Sequence, residues 1–262
     1  MFIGVLENMA TIVTGYFQLK QAKASHDTYA RWMRNMLCID NPMVIFCDVA
    51  SEQMIREMRE GKMEKTKIII TSFNEFYSYR YARNFLEHYK MDKEQRVGHN
   101  MFLYMIWSEK SHFLKRAIEL NPFSTEYFVW CDIGCFRVPN TRYLNWPSPS
   151  TVATLDKNKV LLLSVQPFTP EELQCHNKGG LPVFQFTNRI GGTIFGGGKG
   201  VLLQWHDKYY EMLEHFISIG RFIGKDQSIM NSVYLLNRDM CNLVNWQPGC
   251  PDQWFYLQEY LR

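Results

Sequence analysis

The sequence predicts an α/β fold, a central and mostly parallel β-sheet flanked by helices. Three observations carry this. Short runs rich in β-branched and aromatic residues alternate with helical stretches, the pattern of βαβ units. The runs are continuously apolar, as expected of strands covered on both faces. Turn or stop signals such as Asn41-Pro42, Gly61 and Asn121-Pro122 punctuate the alternation. With 262 residues, of which 46% are hydrophobic, the chain is long enough to bury one large core. No repeat or linker divides it, so residues 1–262 read as a single domain.

In order, Thr11–Phe17 (TIVTGYF) reads as the first strand. Ser25, His26 and Asp27 offer N-cap chemistry for a helix to about Cys38. Met43–Cys47 (MVIFC) is a second buried strand, ending in Asp48. A helix follows over Ser51–Glu60, with Ser51 as cap and Gly61 as stop. Lys67–Thr71 (KIIIT) is a third strand, and the aromatic stretch Phe73–Tyr89 reads as helical. The longest helical pattern spans Gly98–Leu120, where Phe102, Met105, Ile106, Phe113 and Ala117 recur at spacings near three and four. Tyr127–Cys131 (YFVWC) is a strand that runs into Asp132-Ile133-Gly134. Residues 139–158, rich in Pro, Ser, Asn and Thr, read as a loop, and Val160–Val165 as a strand. The stretch 166–189, with Gly179-Gly180, is a long loop of the kind that often carries function. Gly191–Gly198 (GGTIFGGG) is a short strand, and Lys199–Gly220 and Asp226–Leu236 are helices.

Composition narrows the function. A net charge of +3, with cations scattered in pairs such as Lys115-Arg116, excludes a nucleic-acid groove but leaves cations for a diphosphate. Aromatic residues at 15% fill a core, and an exposed Trp would also suit the C–H face of a pyranose. Seven cysteines, with Cys131 and Cys135 the closest pair, complete no zinc site and read as buried thiols. That points to a reducing, cytoplasmic setting. Met1–Ala10 lacks the features of a signal peptide, no stretch approaches a membrane span, and no Asn-x-Ser/Thr sequon occurs. His206 and His215 lie too far apart on their helix to bind one metal from one turn.

Chemistry gathers at Asp132. A carboxylate just beyond a buried parallel strand sits at the sheet's carboxyl edge, where ligands of open α/β sheets bind. A turn-forming Asp with Gly two residues later fits the same residues. Arg137, five positions on, is within reach of the same pocket. Gly191 and Gly192 would let a ligand approach the backbone closely, or simply permit a tight strand entry.

In order and spacing, these features resemble the GT-A glycosyltransferases, distantly those of family 8. Such enzymes show a strand ending in D-x-D, a later small-residue turn, and a helix opening with D-Q-x-x-x-N; here these are Trp130–Gly134, GGTIFGG and Asp226–Asn231. The chain is more closely similar to the HtrL/YibB protein family. The shared elements are TIVT at Thr11–Thr14, W-x-E-K at Trp107–Lys110, N-P-F at Asn121–Phe123 and W-x-D-x-G at Trp130–Gly134. The likeness covers about Thr11 to Asn237.

The resemblance implies a GT-A-like, Rossmann-related domain. Such a domain moves a sugar from a nucleotide-diphosphate sugar to a glycan or other hydroxyl acceptor, helped by Mn2+ or Mg2+. A cation must meet the charge that grows on the departing diphosphate, and hard cations prefer carboxylate and phosphate oxygens. Asp132 matches the first Asp of D-x-D, and so is the implied metal ligand. Asp226 matches the carboxylate near the transferred sugar, with Gln227 beside it, although plain helix capping also accounts for an Asp there. Lys110 is the basic candidate for a phosphate contact, against a solvated helix face. Thr14, Tyr16 and Asp48 fall at strand ends where base and ribose sit. Two departures stand out: Gly134 replaces the second Asp, and no His follows His215.

Other motifs fail. The run Gly191–Gly200 matches neither a Walker A loop nor G-x-G-x-x-G, and there is no G-x-S-x-G or H-E-x-x-H. Two further readings compete with the transferase: a non-catalytic sugar- or nucleotide-binding module on the same fold, motivated by Gly134, and a Rossmann-type methyltransferase. The latter needs a glycine-rich first turn, where Gly15 stands alone.

Overall fold

A computed structural model describes residues 9–20, 24–139, 141–174, 183–249 and 252–262. Gly179-Gly180 and most of the N-terminal segment read above lie outside the described residues.

Seven strands among the described residues form one sheet. They are β1 (Ala10–Tyr16), β2 (Met43–Cys47), β3 (Thr66–Ile70), β4 (Tyr127–Cys131), β5 (Val160–Ser164), β6 (Ile190–Gly198) and β7 (Cys241–Asn245), in the order β3-β2-β1-β4-β6-β5-β7. All but β6 run the same way: β6 is antiparallel to both β4 and β5, and the other pairings are parallel. The helices are α1 (His26–Leu37), α2 (Glu52–Met58), α3 (Ala82–Tyr89), α4 (Met101–Leu120), α5 (Pro149–Thr154), α6 (Pro170–Gln174), α7 (Lys199–Ser218), α8 (Asp226–Leu236) and α9 (Tyr256–Tyr260).

Continuous apolar strands fit because both faces are covered. Neighbours Ile12 and Val13 on β1 enter opposite cores. Val13, Phe46 and Trp130 pack with Phe113 of α4 and Trp205 of α7. Ile12, Ile45 and Val129 pack with Met33 of α1, Ile55 of α2 and Leu257 of α9. The mostly parallel α/β architecture is thus the one the sequence predicts.

Several details differ from the sequence reading. Phe73–Tyr89 is not one helix: 3-10 turns at Phe73–Glu75 and Tyr77–Tyr81 precede α3. Ser72 and Glu75 form a capping box on the first turn, and the buried carboxylate of Glu109 accepts from the Tyr77 and Ser78 amides, each at 2.8 Å. Ser51 sits at the N-cap of α2 without a side-chain cap, and Asp48 accepts from its amide instead at 2.8 Å. The stretch 139–158, read as a loop from its composition, contains α5, which Ser148 caps and a proline opens. The sequence reading missed β7 and α9: β7 is an edge strand of mixed polarity paired only with β5. Gly196 of β6 serves packing, since a Cβ there would lie 2.6 Å from the Phe128 carbonyl. No described helix is long and apolar enough to cross a membrane.

The feature that positions a site is the reversal of strand order at β1. Its two neighbours are β2 and β4, so the chain leaves β1 one way and returns on the other side. Crevices open at the carboxyl ends of such strand pairs.

Candidate functional site

A cleft of about 480 Å³ opens at that point. Its walls are the end of β1 and the following turn, Tyr29 and Trp32 of α1, Trp107 and Lys110 of α4, and Trp130, Asp132 to Cys135 and Arg137 around the end of β4. Helical spacing explains the side chains: Tyr29 and Trp32, like Trp107 and Lys110, are three apart and share a helix face. The cleft volume lies within the roughly 300–1,000 Å³ of small-ligand sites.

Lys110 organises the floor. Its ammonium donates to the Gly192 carbonyl at 2.8 Å. It lies 3.0 Å from Asp132 Oδ1 and 3.0 Å from Asp226 Oδ2. Lys110 is only 4% exposed and Asp226 5%, whereas the Asp132 side chain keeps 32% of its surface open to the cleft. Burial alone would pull the Lys110 ammonium down; Asp132 and then Asp226 outweigh it and hold the group above its ordinary value. For Asp132 the balance goes the other way: burial raises the carboxyl, and Lys110 and the Trp130 indole only partly offset it.

Local structure fixes these groups. The Asp132 amide donates to the Thr193 carbonyl at 2.8 Å, which ties the end of β4 to β6. Trp130 Nε1 donates to Asp132 Oδ1 at 2.7 Å, so the carboxylate does more than shape a turn. Asp226 is the first residue of α8, with Lys225 in the cap position. Its Oδ1 accepts from the Gln227 amide at 2.9 Å, and its Oδ2 faces Lys110.

The other sequence-predicted residues divide. Tyr16 lines the cleft, and its hydroxyl meets His26 Nδ1 at 3.1 Å. Arg137 also lines it, the guanidinium lying 4.7 Å from the Trp32 ring centre and 4.6 Å from that of Phe255. A second concavity of about 370 Å³ shares Trp32 and Arg137 and adds Arg31 and Arg34. Thr14, Asp48, Gly191, Gly192, Asp226 and Gln227 do not line the cleft. Thr14 is fully buried. Asp48 accepts from the amides of Gln18 and Ser51, and so braces the rim. Gly191 is covered by Val165. Gly192 contributes its carbonyl to Lys110 from behind the floor. Sequence reasoning missed Tyr29, Trp32 and Phe255; the three-residue aromatic spacing on α1 was the available signal.

A divalent metal does not fit at Asp132. The space between Asp132, Asp226 and the Gly192 carbonyl already holds the Lys110 ammonium. The second position of the D-x-D pattern is tight: a Cβ on Gly134 would lie 3.3 Å from both the Trp32 and Tyr29 rings, which would have to give by a few tenths of an ångström. Elsewhere, Asp92, Glu94 and His99 bring ligand atoms within 4.8 Å of one another, a group that could hold a metal ion. There Asp92 accepts from Tyr104 and meets His99, Lys225 pairs with Glu94, and His99 packs on Trp107 from outside the cleft.

No curated protein matches the sequence. Among solved structures, apo mouse xyloside xylosyltransferase 1 superposes with a TM-score of 0.47 at 8% identity, over 97% of this chain and 93% of that one. The family model described as "Bacterial protein of unknown function (HtrL_YibB)" matches residues 8–258, and the chain therefore belongs to the HtrL_YibB family.

Proposed function

We propose that the protein is a glycosyltransferase that uses a nucleotide-diphosphate sugar and transfers the sugar to a glycan or other hydroxyl acceptor. One observation carries the reading: a buried ammonium, braced by two carboxylates, forms the floor of a cleft at the reversal of strand order. Such a cation suits a leaving group that gains negative charge as the glycosidic bond breaks. Lys20 and Arg137, also on the cleft wall, bring the cations there to three, against one lining carboxylate, Asp132. Tyr29 and Trp32 offer ring faces for a base or a pyranose. Asp132, the carboxylate open to the cleft, is placed to accept from a sugar hydroxyl while it holds Lys110. Asp226 acts through Lys110 and reaches the sugar only if the floor rearranges on binding.

A thermal-shift series with UDP, GDP, CDP and their sugars tests the reading. A ligand at 100 times its Kd stabilises by about 2.7 kcal/mol, so the right nucleotide raises the melting temperature clearly. Asp132→Ala is expected to lose most of that rise. If no nucleotide shifts the wild type, the reading fails. A sugar- or nucleotide-binding role without turnover is favoured by Gly134, which leaves the cleft a single carboxylate. Release of nucleoside diphosphate from a donor sugar separates the two.

A further inference from the structure

We propose that Lys110 stands in for the divalent cation, so that the site works with a protein ammonium and no metal. The inference rests on reading the cleft as a diphosphate site. An ammonium has three N–H donors, and three acceptors surround this one: the Gly192 carbonyl at 2.8 Å, Asp132 at 3.0 Å and Asp226 at 3.0 Å. A Mn2+ or Mg2+ ion needs oxygens at about 2.0–2.2 Å. It could join both carboxylates only by expelling the ammonium that holds them.

Three neighbouring features keep the arrangement in place. The rings of Tyr29 and Trp32 pack over Gly134 and crowd the position where a second metal-binding carboxylate would stand. A Cβ on Gly192 would lie 2.7 Å from Asp226 Oδ2, so glycine permits the close approach of carbonyl and carboxylate around one cation. Lys110 issues from the 20-residue helix α4, whose flanking Ser108, Glu109 and Ser111 are all buried, so the stem has little freedom to swing away. A buried charge is costly unless it is paired, and this one has a carboxylate on either hand at 3.0 Å. The ammonium thus takes the place of the missing ion between the carboxylates, while Lys20 and Arg137 on the cleft wall supply positive charge to the diphosphate.

Mn2+ titration of the full chain, with free ion followed by electron paramagnetic resonance, tests this directly. Wild type and Asp132→Asn are expected to bind Mn2+ equally weakly. Lys110→Ala leaves two carboxylates facing an oxygen-lined gap, and is expected to bind Mn2+ at least ~10-fold more tightly than wild type, a difference of about 1.4 kcal/mol. Adding Asp132→Asn to Lys110→Ala should abolish the gain. Mn2+ taken by Asp92, Glu94 and His99 is insensitive to these changes and drops out of the comparison. Wild-type binding that Asp132→Asn removes overturns the proposal, as does a folded Lys110→Ala that gains nothing. Should Lys110→Ala not fold, wild type against Asp132→Asn decides alone. A parallel thermal shift with UDP in EDTA or Mn2+ separates the two readings. A shift that needs Mn2+ sinks the metal-free site and leaves the transferase standing. No shift with any nucleoside diphosphate in either buffer removes the transferase reading, while the Mn2+ titration still decides what Lys110 does.

Discussion

Gly192 has room for a carbonyl and none for a side chain. Its oxygen binds Lys110, and its missing Cβ leaves space for Asp226. Gly192→Ala is therefore expected to push Asp226 off the ammonium and weaken donor binding, while the sheet stays folded. Calorimetry with the stabilising nucleotide, beside a circular dichroism melt, checks both halves. Part of this floor is legible in the sequence. Asp132 stands out because it ends an apolar run, and Lys110 through the W-x-E-K pattern. Their union is not legible, since Lys110 is 22 residues from Asp132 and 82 from Gly192 in the chain. Periodicity reports which face of an element a residue occupies, and not which distant residue it meets. Thr14 and Asp48 show the same limit: both fall at strand ends, yet one is sealed in the core and the other is spent on loop amides.

At the scale of elements, α4 does three things with adjacent residues. Trp107 faces the cleft, Lys110 its floor, and Glu109 the opposite side, where it holds the 3-10 turn at Tyr77–Tyr81. Burial raises the Glu109 carboxyl, and the donors from Ser78 and Tyr77 partly offset that. Glu109→Ala would orphan two backbone amides, and should cost about 3 kcal/mol of stability by denaturant unfolding. Glu109→Gln retains one acceptor and should cost less. These bonds explain why Phe73–Tyr89 misleads when read from its sequence alone: the turn is fixed by a partner on another helix. The strands were more legible, because burial on both faces writes itself as an unbroken apolar run. The edge strand β7 escaped because it has no such run.

The molecule as a whole carries an acid-sensitive seam between α4 and α7. His112 Nδ1 and His206 Nε2 lie 3.1 Å apart beneath Tyr77 and Tyr210. Burial, then the neighbouring His206, pushes His112 down to about 4, and burial also lowers His206. The folded chain thus takes up fewer protons than the unfolded one below pH ~6.5. The contribution is complete above that pH and is lost as pH falls towards about 4. Each such proton adds a slope of about 1.4 kcal/mol per pH unit within the window. Urea midpoints at several pH values between these limits should fall with acid, and His112→Gln should flatten the dependence.

The reversed strand β6 has one more consequence. Because it runs against its neighbours, its beginning, and not its end, reaches the edge where the cleft opens. Residues 183–189, which lead into Ile190, therefore approach that edge of the sheet without crossing it, although none of them lines the cleft. Substitutions on those residues would fall outside the strand pairing of β6 with β4 and β5, and so could alter that edge while the sheet behind it stays in register.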